Sequence, residues 1–121
     1  MKFVIGEFYK LEDIRAALGG PLLASIATRD NEILYVKFKR ERLNPNLPSE
    51  IWIKNGPIQY KSAITWVKGN RSVPMFFKEP NSKDTRWKYL GLFKAKIKLK
   101  DKDVAKHTKS QDISLVLEIY E

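Results

Sequence analysis

Residues 87–102, WKYLGLFKAKIKLKDK, place two kinds of residue on a strict alternation. Trp87, Tyr89, Phe93, Ala95, Ile97 and Leu99 share one parity, and Lys88, Lys94, Lys96, Lys98, Lys100 and Lys102 share the other. A period of two sends successive side chains to opposite faces of a strand, so this stretch predicts a long strand between a core and water. The pattern breaks at Leu90-Gly91-Leu92, where both leucines fall on the lysine parity. Glycine within a strand marks a bulge or a close backbone approach. Both faces are therefore expected to be covered there, leaving a clean polar face only from Lys94 onward.

The rest of the chain supplies partners for that strand. KFVI (2–5) predicts a short strand. In KLEDIRAALGG, Leu11, Ile14 and Leu18 lie on one helical face, Glu12 and Asp13 suit the helix start, and Gly19-Gly20 stop it. LLASIAT and ILYVKFK predict two strands joined by RDNE, whose Asp30-Asn31 is hairpin-turn chemistry. RERLNPNLPSE reads as a polar loop and IWIK as a strand. NGPIQYKSAITWVKGN predicts a helix with Pro57 in its first turn, Asn55 or Gly56 as its cap and Gly69 at its end. Its core stripe is read as Tyr60, Ala63, Ile64 and Val67. VPMFFK is a strand, with Pro74 expected at an edge or bulge. EPNSKDTR is a loop and ISLVLEIYE the last strand. About six or seven strands with two inserted helices, in no alternating βαβ series, give an α+β domain with a curled, mostly antiparallel sheet or small barrel.

At 121 residues the chain is expected to form one domain, 1–121, with an adequate core. No apolar run approaches a membrane span. The start, MKFVIGEFYK, lacks the apolar length and small residues of a signal peptide. The absence of cysteine excludes disulfides and Cys-based zinc sites, and fits a cytoplasmic address. Charge is more informative. The net charge is +9, yet residues 1–50 carry 8 Lys+Arg against 7 acids, whereas residues 51–121 carry 15 against 7. A basic excess of this size points to a polyanionic partner, nucleic acid first. A membrane surface would call for an amphipathic basic helix, and the sequence shows none.

Enzymatic constellations are missing. His107 is the single histidine, so His-based triads and multi-His metal sites fail. It sits in VAKHTKSQ, which reads as an exposed turn. There is no P-loop or dinucleotide fingerprint, and no Asp or Glu has lysine two residues later, as a metal-dependent nuclease strand often does. No cofactor or metal is implied. Of 14 aromatic residues (Phe 6, Tyr 5, Trp 3), Phe3, Phe76, Phe77 and Phe93 read as core. Trp52 faces away from Ile51 and Ile53, Trp66 lies on a helix flank, and Trp87 follows Arg86. Aromatics beside basic residues can stack on exposed bases while the charges hold phosphates; edge packing over a barrel end is the alternative.

GEFYKLEDIRAALGG, an ASIA strand, then NGPIQYKSAITW, VPMFFK and WKYLGLFKAK in that order resemble the PUA-like superfamily, including its SRA and EVE types. More specifically they are similar to the DNA-reading modules of Mcr-type and HNH modification-dependent restriction enzymes. The resemblance spans roughly residues 6 to 98 and carries no catalytic signature. It implies a concave face that accepts nucleic acid and reads a modified, typically methylated, base, by extrusion in SRA-type relatives. The chain departs from those relatives in lacking a nuclease or motor domain. It is therefore expected to be an excised domain, or a subunit acting with a separate enzyme. RNA binding, or protein–protein interaction through a basic face, are the alternatives.

On that reading Tyr9, Trp52, Trp87 and Tyr89 are the aromatics nearest the base, with polar contacts from Ser25 and the turn after Gly20. Lys94, Lys96 and Lys98 stand roughly 6.6 Å apart, near the spacing of phosphates along a strand. With Arg71, Arg86 and Lys88 they are the candidate phosphate contacts. The alternative is a solvated face that discourages edge pairing.

Overall fold

The alternating stretch is one strand of 14 residues, Trp87–Lys100, and the sheet is organised around it. The computed structural model describes residues 2–21, 24–42, 44–80 and 83–121. In chain order these form β1 (Phe8–Tyr9), α1 (Leu11–Leu18), β2 (Ile26–Arg29), β3 (Glu32–Lys39) and β4 (Glu50–Lys54). There follow α2 (Pro57–Gly69), β5 (Val73–Lys78), β6 (Trp87–Lys100), α3 (Lys102–Thr108) and β7 (Ile113–Tyr120). The sheet order is β2-β3-β5-β6-β7-β4, with β1 on β6. Every pairing is antiparallel except β3 with β5, so the sheet is mixed.

Up to Phe93, β6 pairs with β5; from Lys94 it pairs with β7. One strand thus belongs to two sub-sheets, and the whole curls into a half-barrel whose end strands, β2 and β4, do not pair. The hollow holds the main core, including Val36, Phe38, Ile51, Ile53, Met75, Leu115 and Leu117, and α2 closes it with Ala63 and Trp66. Each large side chain buried this way contributes about 1.5–3 kcal/mol. On the outer side, Ile14 of α1 packs with Ala27, Tyr35, Phe76 and Tyr89, and Val104 of α3 packs with Trp52, Ile113 and Val116.

Local chemistry accounts for several elements. Asp30 and Asn31 have φ of 53° and 64°, the double positive φ that suits a two-residue hairpin. Pro57 opens α2 behind Gly56, and Asn70, in the left-handed region, ends it. Pro74 lies one residue before the span of β5 that pairs with β3, so its missing N–H interrupts no bond there.

The bulge expected near Gly91 is present. Met75 pairs with Gly91 and Phe76 with Tyr89, which leaves Leu90 as the extra residue, and Gly91 takes φ +113°. The bulge switches faces. Trp87 and Tyr89 pack on the outer cluster, whereas Phe93 and Ala95, of the same parity, enter the hollow. Leu90 joins them, but Leu92 is 52% exposed, contrary to the expectation that both leucines are covered. A second irregularity between Ile97 and Leu99 makes Lys98 the extra residue there.

Other expectations are corrected. Residues 2–5 are not a strand; the N-terminal pairing is made by Phe8–Tyr9 instead. The stripe of α2 is rotated: Trp66 is 1% exposed and Tyr60 46%. The hollow accepts the largest ring, whatever its place on the periodic stripe. VAKHTKSQ is not a turn, because residues 102–108 form the third helix, seated on Val104 and Thr108. Parts of three expected segments lie outside the described residues: Leu22 and Leu23 of LLASIAT, which also follow Gly20, Leu43 in RERLNPNLPSE, and Asn81 and Ser82 in EPNSKDTR. Among the described residues no helix is long and apolar enough to cross a membrane.

Candidate nucleic-acid interface

Where β2 and β4 fail to meet, the half-barrel opens into a cleft of about 380 Å³. One wall is Ser25 and Ile26 with Lys37, Phe38 and Lys39 of β3; the opposite wall is Trp52, Ile53 and Lys54 of β4. Ile58, Gln59 and Ser62, in the first turns of α2, close one side, and Glu41, Asn44 and Trp87 complete the lining. The cleft is thus apolar in depth and polar around it. Three lysines line it against one carboxylate, Glu41, and that carboxylate is paired with Lys54 at 2.7 Å.

Two ammonium groups stand over the Trp87 ring, Lys78 Nζ at 4.2 Å and Lys37 Nζ at 5.1 Å from its centroid. Lys37 is only 9% exposed. Burial lowers its pKa, and the neighbouring Lys78 lowers it further. Lys78 is lowered by burial and then by Lys39, against the opposing pull of Asp84. Lys37 is buried, Lys78 half-buried and Lys39 exposed; a buried cation with a depressed pKa is a mark of functional sites.

Of the aromatic and polar residues expected to hold a base, the structure brings Ser25, Trp52 and Trp87 to the cleft. Trp52 lines it, but its ring packs with Val104 and Val116 on the outer side, as the alternation with Ile51 and Ile53 requires. Its Nε1 donates to Glu50 Oε1 at 2.6 Å, while its backbone N–H and C=O bond the buried Asn44 amide at 2.8 and 3.0 Å. Tyr9 and Tyr89 do not line the cleft. Tyr89, 8% exposed, sits against Phe3 and Phe76, and the Tyr9 hydroxyl accepts a bond from the Val4 N–H at 2.8 Å.

The expected phosphate contacts are scattered. Lys98 donates to Glu50 Oε2 at 2.9 Å, and Lys96 lies 3.5 Å from Glu118. Lys94 is half-buried and Lys88 exposed. Arg86 grips Asp84 through two nitrogens at 3.0 and 2.9 Å. Arg71 faces Glu32 at 3.7 Å beside a separate hollow of about 220 Å³ that Trp66 also lines.

Glu50 forms the other polar centre. Besides Trp52 and Lys98 it accepts from Asn46 Nδ2 at 3.0 Å and meets His107 Nε2 at 2.7 Å. Burial pushes its carboxyl up, but the bonds from Trp52, Lys98, Asn46 and His107 together win and bring it from 4.5 down to about 2. His107 is exposed, as expected of a surface residue, and its ring also partners the buried Glu50 charge. Among the described residues no group of three His, Asp or Glu gathers as metal ligands.

Sequence reasoning missed Lys37, Lys39 and Lys78. A signal was present in ILYVKFK, where Lys37 shares the parity of Tyr35 in a run apolar on both faces. Comparison with protein-family models, curated proteins and solved structures gives no match.

Proposed function

We propose that the protein is a nucleic-acid-binding module that accepts a single base in the cleft between β2, β3 and β4. The observation that carries the reading is the composition of that cleft: three lysines, of which Lys54 is paired with Glu41, and the aromatic residues Phe38, Trp52 and Trp87, with the polar side chains of Ser25 and Gln59. Its volume of about 380 Å³ lies at the lower end of the roughly 300–1,000 Å³ typical of small-molecule pockets. A base on its sugar is of that order. A base inside a duplex reaches such a cleft only by extrusion, which also exposes the edge that carries a modification. Trp87 offers the ring, Ser25 and Gln59 the polar groups, and the lysines the backbone charge.

The particular form we assign combines this site with the sequence resemblance: a PUA-like reader of modified DNA in a restriction system, with catalysis in a separate domain or subunit. The test is a binding panel on one duplex, unmodified or carrying 5-methylcytosine, 5-hydroxymethylcytosine or N6-methyladenine, together with the matching RNA. Salt-dependent binding with preference for one modified duplex supports the assignment. Preference for RNA moves the site to the RNA-binding alternative. Absence of salt-sensitive binding leaves a protein–protein interaction domain.

A further inference from the structure

Lys37 and Lys39 line one corner of the cleft, and Lys78 meets them just outside it because β3 and β5 run parallel there. Lys39 is the register partner of Lys78, and Lys37 lies two residues earlier on the same face of β3. Trp87 closes the corner beneath the ammonium groups of Lys37 and Lys78. None of the three lysines has an ion pair among the described residues, in contrast to Lys54, Lys96 and Lys98. Lys78 makes one hydrogen bond, to the Thr85 carbonyl at 3.1 Å, and Asp84, the acid that pulls on it, is gripped by Arg86.

Three neighbouring ammonium groups, one of them on a residue only 9% exposed, repel one another, and among the described residues Lys78 alone has a protein acceptor, the Thr85 carbonyl. A fold under no functional demand would replace the buried one with an apolar residue of similar length. A bound anion removes both defects. It offsets the repulsion and offers oxygen acceptors to N–H donors that the ring face meets only in part. Compact ammonium charges on flexible stems suit the several oxygens of a phosphoryl group.

We infer that Lys37, Lys39 and Lys78 form a phosphate-binding corner, with the Trp87 ring packed under it, that holds the phosphate next to the base in the cleft. The assignment rests on the nucleic-acid reading of that cleft for the identity of the ligand, and on the corner itself for the phosphoryl group. The phosphoryl group can come from an internal diester or from a strand terminus, and the test separates the two.

The full chain is titrated with inorganic pyrophosphate by thermal shift at low salt. Fluorescence anisotropy then follows its binding to one duplex carrying either 5′-hydroxyl or 5′-phosphate ends. The variants are K37M, K78M and K37M/K78M, with K68M on the exposed end of α2 as the control. Methionine keeps the apolar stem, so the variants are expected to fold and to melt no lower than wild type without ligand. Pyrophosphate should raise the melting temperature of wild type and K68M but not that of K37M/K78M. Duplex affinity should fall about tenfold or more in the double variant, with the salt slope shallower by about one unit. Tighter binding of 5′-phosphate ends assigns the corner to a terminal phosphate, and equal binding assigns it to an internal one. An equal pyrophosphate shift in wild type and double variant overturns the inference, as does a double variant that is less stable at low salt. If the duplex binds both proteins alike, the corner fails and the nucleic-acid reading stands. If pyrophosphate binds wild type and no duplex does, the corner stands and that reading fails.

Discussion

Lys98 Nζ donates to Glu50 Oε2 at 2.9 Å, so a lysine from the exposed half of β6 is tied to a buried carboxylate. The Glu50 carboxylate in turn raises the Lys98 pKa. Lys96, two residues before it, faces Glu118. Part of the lysine face is therefore engaged within the protein and serves the fold as well as solvation.

This bears on how the strand meets a polyanion. Each phosphate contact contributes roughly 0.9 to the slope of log affinity against log salt on duplex DNA. Since Lys96 and Lys98 already have acidic partners, K94Q/K96Q/K98Q is expected to flatten that slope by about one unit. A change of about three would make the whole strand a phosphate track.

Glu50 links stability to pH. Its carboxyl titrates at about 2 when folded against 4.5 ordinarily, so its contribution is fully present above 4.5 and is lost as pH falls through 2. The difference corresponds to about 3 kcal/mol. E50Q should be less stable at neutral pH by a comparable amount, and the gap should close toward pH 2. Urea unfolding across that range measures it, and a gap independent of pH would show that the four donors do not select the charged form.

Trp87 and Tyr89 are expected to separate binding from folding. Trp87 is half-buried at the cleft, and base–aromatic stacking is worth roughly 1–3 kcal/mol. W87A should therefore weaken binding about 5- to 150-fold and keep its fold. Y89A, which removes a ring packed between Phe3 and Phe76, should destabilise the protein by about 3–5 kcal/mol. Anisotropy and circular dichroism on both variants decide the matter. The reverse pattern would place the base against Tyr89 rather than Trp87.

Gly91 is a third handle. A Cβ there would sit 3.3 Å from Ile5 Cδ1, on a backbone at φ +113° that L side chains rarely adopt. G91A should cost about 1–3 kcal/mol, mainly from backbone strain. A neutral G91A would show that the bulge can move along β6.

Much of the fold was legible because its codes are local. Double positive φ at Asp30-Asn31, Pro57 behind a capping glycine, Gly19 ending α1 and the bulge near Gly91 are each set by sterics within a few residues, as is the alternation of β6. Residues 102–108 escaped notice because seven residues hold too few buried positions, Val104 and Thr108, to show a period. Parity fixed which β6 side chains share a face only until the bulge at Leu90; beyond it the same parity points into the hollow, a switch made by the register with β5. The site depended still more on tertiary pairing. Lys39 and Lys78 meet because two strands far apart in sequence run parallel, and Glu50 gathers Asn46, Trp52, Lys98 and His107 from β6, α3 and its own neighbourhood. Sequence by itself determined the elements, the basic excess and the aromatic supply, because each follows from residue type and short spacing. Which lysines became neutralised and which were left clustered beside Trp87 was decided by the curl of the sheet, since Coulomb interactions depend on distances in space that no local spacing encodes.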